Sequence, residues 1–146
     1  MNTVLIDLYL QNRTKKQREK IIEVMEYIQS RVENSVVASV FTLPGFTIDY
    51  IPMCNVKATG KRITVRFFQK DVFSVISQRL ESEGFKLGRC SLTFEDTALF
   101  KCEAVDELLK LTASSAKVDA SFMKSVINRD YGYYDSRLLS EKRKNK

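Results

Sequence analysis

The strongest constraint on the fold is the alternation of side chains in residues 61–68, KRITVRFF. Apolar and polar side chains alternate along this segment, and successive side chains of a strand point to opposite faces of its sheet. The apolar set is Ile63, Val65 and Phe67, and the polar set is Arg62, Thr64 and Arg66. The sequence therefore predicts a sheet with one buried face and one open face that carries arginines.

Two amphipathic helices are predicted to cover the buried face. Residues 15–33 place apolar side chains at helical spacing, and Thr14 just before them has the spacing of a capping box with Gln17. Residues 71–83 show a second apolar stripe that stops at Gly84, a residue suited to the left-handed end of a helix.

The remaining extended segments indicate further strands. They are residues 4–10, 36–43, 46–53, 87–94 and 98–103. Pro44-Gly45 predicts a turn after the second of these segments, and residues 55–60 predict another. Pro52 makes the end of 46–53 an edge or a bulge, because proline cannot donate to a sheet ladder.

The order of these elements predicts an α+β fold. A mostly antiparallel sheet has two helices on one face, as a ferredoxin-like βαββαβ core with extra strands, followed by short C-terminal helices. We expect one domain over residues 1–112, a linker with a short helix over 113–128, and an aromatic and basic, partly disordered tail over 129–146.

The basic residues are concentrated in three windows, although the formal net charge is only +6. Residues 13–20, 57–70 and 137–146 have net charges of +4, +5 and +4, so the rest of the chain is acidic overall. Segregated positive charge is typical of a protein with an anionic partner.

This charge pattern predicts a non-enzymatic nucleic-acid-binding module, with RNA slightly favoured over DNA because the sheet has an open face. The residues expected to contact phosphates are Arg13, Lys15, Lys16, Arg18, Lys61, Arg62 and Arg66. Tyr9 and Phe68 are expected to supply stacking platforms for bases. The alternative is that Phe68 ends the strand by packing under the helix 71–83 and that Arg62 and Arg66 pair with Asp7 and Asp49 across strands.

One family comparison bears on this prediction. Residues 8–12, LYLQN, resemble the shorter signature of RNA-recognition motifs, which share the βαββαβ order. Residues 61–68 match the longer signature only at the first and last positions, and its glycine and internal aromatic residues are missing. The sequence is therefore assigned to no family.

The alternative function is a small interaction or inhibitor protein. It would dock its basic face on an acidic protein partner such as a nucleic-acid-processing enzyme. Segment 46–53, as a predicted edge strand, also leaves a sheet-edge dimer open.

Catalysis is disfavoured by composition. The chain contains no histidine, which removes His-based acid–base chemistry and imidazole metal sites, and we expect neither a metal nor another cofactor. A carboxylate–metal nuclease stays open if Asp7 and Asp49 share an ion. The three cysteines form no Cys-x-x-Cys pair, and no apolar run is long enough to span a membrane, which favours the cytoplasm.

Overall fold

The structure is a computed structural model, and it describes residues 4–115. The described helices are α1 (Val4–Gln11), α2 (Lys15–Arg31), α3 (Lys70–Ser82) and α4 (Glu103–Ser115), with a single 3-10 turn at Thr97–Phe100. The described strands are β1 (Val36–Val40), β2 (Leu43–Ile48), β3 (Ile51–Thr59), β4 (Arg62–Phe67), β5 (Lys86–Leu87) and β6 (Ser91–Phe94).

The six strands form one antiparallel sheet in the order β1-β2-β3-β4-β6-β5. The predicted α+β class is therefore confirmed. The ferredoxin-like connection order is not confirmed, since β1 to β4 follow one another as neighbours with no helix between them.

The inner face of the sheet holds the main core. Val56 on β3 pairs with Val65 on β4, which pairs with Leu92 on β6, and none of the three side chains is exposed. Helices α2, α3 and α4 bury their apolar stripes in the same cluster. Three helices thus cover this face, where the sequence predicted two.

Helix α2 begins with the predicted cap and α3 ends with the predicted one, although α2 ends at Arg31, two residues before the predicted end at 33. The backbone N–H of Gln17 donates to the Thr14 hydroxyl at 3.1 Å, and the Thr14 N–H donates to the Gln17 side chain at 3.0 Å, which completes the capping box. After α3, Gly84 has a φ of 105°, and the N–H of Phe85 donates to the Leu80 carbonyl at 3.3 Å. This is the hydrogen bond of a Schellman ending.

The prediction of a strand over residues 4–10 is wrong. These residues form α1, in which Ile6 is buried and Leu10 packs against the main core. The Tyr9 hydroxyl accepts a hydrogen bond from the backbone N–H of Ala58 at 3.0 Å. Strand β2 pairs with β3 only as far as Asn55. Helix α1 therefore supplies the hydrogen-bond acceptor for Ala58 that a neighbouring strand would otherwise provide.

The two hairpins of β1–β3 turn at residues that the sequence did not indicate. Phe41 and Thr42 join β1 to β2, and Asp49 and Tyr50 join β2 to β3, all with positive φ. Two such residues in succession match the right-handed twist of the strands they join. The predicted turn at Pro44-Gly45 is wrong, because both residues lie within β2.

Other boundaries also differ from the predictions. Residues 55–59 continue β3 instead of forming a turn, and the hairpin over 87–94 and 98–103 is replaced by the short pair β5–β6. The segment 46–53 is not an edge, because β2 lies between β1 and β3. The expected bulge at Pro52 is present, because Phe46 pairs with Cys54 and Thr47 with Pro52, which leaves Met53 as an extra residue of β3.

Helix α4 continues to Ser115, three residues past the boundary expected at residue 112. The predictions for residues 116–146, which comprise most of the linker, the short helix and the aromatic and basic tail, lie outside the described residues.

Candidate binding surface

The outer side of β3 to β6 carries a basic surface. Strand register places Lys57, Arg62, Arg66 and Lys86 on the same side, and all four are exposed. Strands β3, β4, β5 and β6 contain no aspartate or glutamate. We call this side of the four strands the open face. Its charge follows directly from the alternation in β4 and its neighbours.

A row of four side chains crosses the middle of the open face. Lys57 on β3 pairs with Thr64 on β4, Thr64 with Thr93 on β6, and Thr93 with Lys86 on β5. The two threonine hydroxyls are 3.0 Å apart and hydrogen-bonded, and both residues are half-buried. The row therefore places two hydroxyls between two lysines.

Two of the three basic windows converge in the structure. The Gln17 side-chain amide donates to the Gly60 carbonyl at 2.9 Å, and the Lys20 ammonium donates to the Lys61 carbonyl at 2.8 Å. These bonds attach the first turns of α2 to the β3–β4 turn, next to Arg62 on the open face. The positive charge therefore continues around this end of the sheet. The third window lies outside the described residues.

Within the first window, the residues predicted to contact phosphates are not equivalent. Lys15 and Lys16 are exposed on the first turn of α2. Arg18 instead donates to the backbone carbonyl of Arg13 at 2.6 Å, and the Arg13 guanidinium stacks over the Tyr9 ring at 4.6 Å. The two arginines thus help to fix the junction between α1 and α2, where their guanidinium groups already contact a carbonyl and an aromatic ring.

At the opposite end of β4, the basic surface extends to the loop before β6. Burial raises the pKa of the Cys90 thiol, while the charges of Lys70, Arg66 and Arg89 oppose that rise. Arg89 directly precedes Cys90, Arg66 pairs with Ser91, and the Cys90 carbonyl accepts a hydrogen bond from the Phe67 N–H at 2.8 Å. Lys70 and Arg89 widen the positively charged area beyond the strands.

The aromatic residues predicted to stack on bases have structural positions instead. Phe68 is only 7 % exposed and packs with Ala38 and Val40 in a second, smaller apolar cluster. Its ring lies 5.0 Å from that of Phe41. Tyr9 lies on α1, half-buried under a guanidinium, and not on a strand of the open face.

The structure places the cysteines and acids of the described chain apart from the positions that the sequence suggested. Cys54 is fully buried in β3, where burial raises the pKa of its thiol strongly and so disfavours the reactive thiolate. Asp7 lies on a helix, which removes the predicted pair of strand carboxylates. Within residues 4–115, no three His, Cys, Asp or Glu side chains are placed to hold a metal ion.

A shallow groove of about 570 Å³ separates α1 from the start of α2. It is lined by Val4, Asp7, Leu8, Leu10, Gln11 and Arg18. Asp7 and Arg18 are the charged residues of this lining, and the others are apolar or an amide. The described helices also include none with the length and apolarity needed to cross a bilayer.

Comparison with known proteins identifies the fold. A solved structure of a Bacillus subtilis protein, described as belonging to the DUF1801 family, superimposes with a TM-score of 0.63 at 14 % sequence identity. The match covers 82 % of this chain and 94 % of the other. No protein-family model matches the sequence. No curated protein matches it either. At this identity, the likeness shows a shared fold and nothing finer.

The predicted nucleic-acid-binding function is contradicted by this comparison. The Bacillus subtilis protein is described by its family alone, without mention of a nucleic acid. Neither predicted stacking ring is presented to a ligand, since Phe68 is buried with its ring 5.7 Å from the Arg66 guanidinium, and Tyr9 lies on α1. The alternative function, an inhibitor that docks on a nucleic-acid-processing enzyme, has no support either.

Sequence reasoning missed several residues of the open face. Lys57 lies in the second basic window but was not predicted as a site residue, because the segment 55–60 was assigned to a turn. Lys86 and Thr93 could not be placed without the register of β5 and β6. The absence of acids from all four strands was the available signal.

Proposed function

We propose that this chain is a binding protein whose open face docks on an acidic surface of a protein partner. The observation that carries the proposal is the side-by-side arrangement of Lys57, Arg62, Arg66 and Lys86 on strands that contain no carboxylate. Like charges so close together repel one another in the free protein. Binding of an acidic partner relieves this repulsion, and the attraction between opposite charges raises the rate of association.

The flatness of the surface favours a macromolecular partner over a small metabolite. Small-molecule sites are concave and bury most of their ligand, whereas the open face is one side of a sheet. The attached turns of α2 enlarge the positive area, since Lys15, Lys16 and Lys61 are exposed around the end of the β3–β4 hairpin.

We further propose that the protein is non-catalytic and acts in the cytoplasm. Its support is the lack of histidine in the sequence and the three cysteines, all of which are free thiols. Unpaired cysteines are typical of proteins kept in reducing compartments.

The test is binding of a fluorescein-labelled 20-residue glutamate peptide, measured by fluorescence anisotropy at about 50 and 300 mM NaCl. We expect binding at low salt that weakens at high salt. The triple variant Lys57→Gln, Arg62→Gln, Arg66→Gln should weaken binding about tenfold or more, equivalent to roughly 1.4 kcal/mol.

A matched control removes the same charge from the helical side. The triple variant Arg79→Gln, Lys101→Gln, Lys110→Gln loses three positive charges on α3, α4 and the turn before α4. It should change the affinity less than about twofold. Equal losses in the two triple variants, or no binding by the unaltered protein at low salt, would show that the open face is not a docking surface.

A further inference from the structure

The open face has a centre with its own chemistry. Thr64 lies at this centre, with Arg62 and Arg66 two residues away on the same strand, Lys57 across on β3 and Thr93 across on β6. Neighbouring strands are about 4.8 Å apart, and residues i and i+2 of a strand are about 6.8 Å apart. Long basic side chains from these positions can reach one group bound over Thr64.

The hydroxyl pair adds directional donors to this positive field. The oxygens of Thr64 and Thr93 are 3.0 Å apart, so one hydroxyl donates to the other. Each hydroxyl has a single proton, and the accepting hydroxyl therefore keeps its own proton for a ligand. The pair is half-buried between Lys57 and Lys86, which are exposed at the two ends of the row.

Building on the proposed docking function, we propose that the Thr64–Thr93 hydroxyl pair and its four surrounding cations form a subsite for a phosphoryl group on the partner, as in a phosphorylated serine or threonine. A phosphoryl group carries close to two negative charges at neutral pH and three acceptor oxygens. A carboxylate offers one charge and two oxygens, and so engages fewer of these donors.

The experiment compares two peptides of equal length on the unaltered protein. One is a 12-residue acidic peptide with a central glutamate, and the other carries phosphoserine at that position. We expect the phosphoserine peptide to bind about tenfold more tightly, as measured by isothermal titration calorimetry at low salt. Free phosphoserine and inorganic phosphate, titrated in parallel, show whether the phosphoryl group alone or its peptide context supplies the affinity.

The decisive variant is Thr64→Val with Thr93→Val, which removes both hydroxyls and no charge. It should reduce the preference for phosphoserine to less than about threefold while leaving the affinity for the glutamate peptide unchanged. Thr59→Val is the matched control, because Thr59 is exposed on the same side of β3 and pairs with Arg62 rather than with a hydroxyl. This control should keep the full preference.

The possible failures can be told apart. Equal affinities for the two peptides on the unaltered protein overturn the phosphoryl subsite and leave docking on the open face intact. A preference that survives in the double valine variant, confirmed as folded by its circular dichroism spectrum, overturns the role of the hydroxyl pair. Binding of neither peptide overturns both the subsite and the proposed docking function.

Discussion

Charged side chains are arranged differently on the two sides of the sheet. On the helical side, Lys101 pairs with Glu23 at 3.3 Å, and Arg31 lies 3.5 Å from Asp106, which also accepts a hydrogen bond from the Tyr27 hydroxyl. On the open face, the strands supply cations and no acids. On the helical side, charged side chains therefore join one helix to another, whereas the strands of the open face supply no carboxylate to pair with their cations.

The largest effect is expected from the aromatic core of the helical side. The ring of Phe100 is fully buried, stacks on Phe94 with centroids 5.3 Å apart and meets the edge of Tyr27 at 5.9 Å. Phe100→Ala should lower the free energy of unfolding by about 3–5 kcal/mol, because it removes apolar contacts and leaves a cavity. Urea denaturation measures this loss. A change below about 1 kcal/mol would contradict the packing described.

The second prediction tests the corrected role of Phe68. Because this ring is packed with Phe41 and Val40, Phe68→Ala should lower the free energy of unfolding by about 2–3 kcal/mol. The glutamate-peptide affinity per folded molecule should stay the same. Weaker peptide binding at unaltered stability would instead return Phe68 to the binding surface.

The helix endings and β4 are where sequence reasoning was most successful. The Thr14 capping box, the Gly84 ending and the alternation in β4 are local patterns, and each depends on a few neighbouring residues. These patterns determined α2, α3 and the direction in which Arg62 and Arg66 point. They therefore predicted part of the open face correctly.

The errors arose where tertiary contacts decide the conformation. Residues 4–10 form a short apolar run, and such a run is compatible with either a strand or a helix. Phe41 takes a positive φ that glycine or asparagine would favour, and its ring contact with Phe68 helps to hold it there. Neither the contact nor the register that brings Lys86 beside Thr93 is visible in the sequence.

A smaller effect is expected at the end of α3. Gly84 has a φ of 105°, which side-chain-bearing residues rarely adopt. Gly84→Ala should therefore lower the free energy of unfolding by about 1 kcal/mol. Thermal unfolding monitored by circular dichroism measures the shift, and an unchanged melting temperature would contradict the strained position. Peptide binding serves as the control, since Gly84 lies outside the open face.

The smallest effect concerns the pH dependence of the helical side. A hydrogen bond from Thr97, supported by Lys101, holds the pKa of Glu23 below its usual value, although partial burial opposes this. A lowered folded-state pKa means that this contribution is present above the unfolded-state pKa and is lost as the pH falls through the folded-state value.

Glu23→Gln should therefore cost less than about 1 kcal/mol at pH 7, because solvent screens this exposed pair. The difference between the variant and the unaltered protein should shrink as the pH falls below about 4.3. Denaturation curves at several pH values check this, and a difference that grows on acidification would contradict the pairing.

The most direct test of the contrast between the two sides is a map of where an acidic peptide binds. The backbone amide signals of the isotope-labelled protein can be followed by NMR while the 20-residue glutamate peptide is added. We predict that the largest shifts fall on β3, β4, β5 and β6, at Lys57, Thr64, Arg66, Lys86 and Thr93. Shifts concentrated on α3 and α4, or spread evenly over the described chain, would contradict the assignment of the open face as the docking surface.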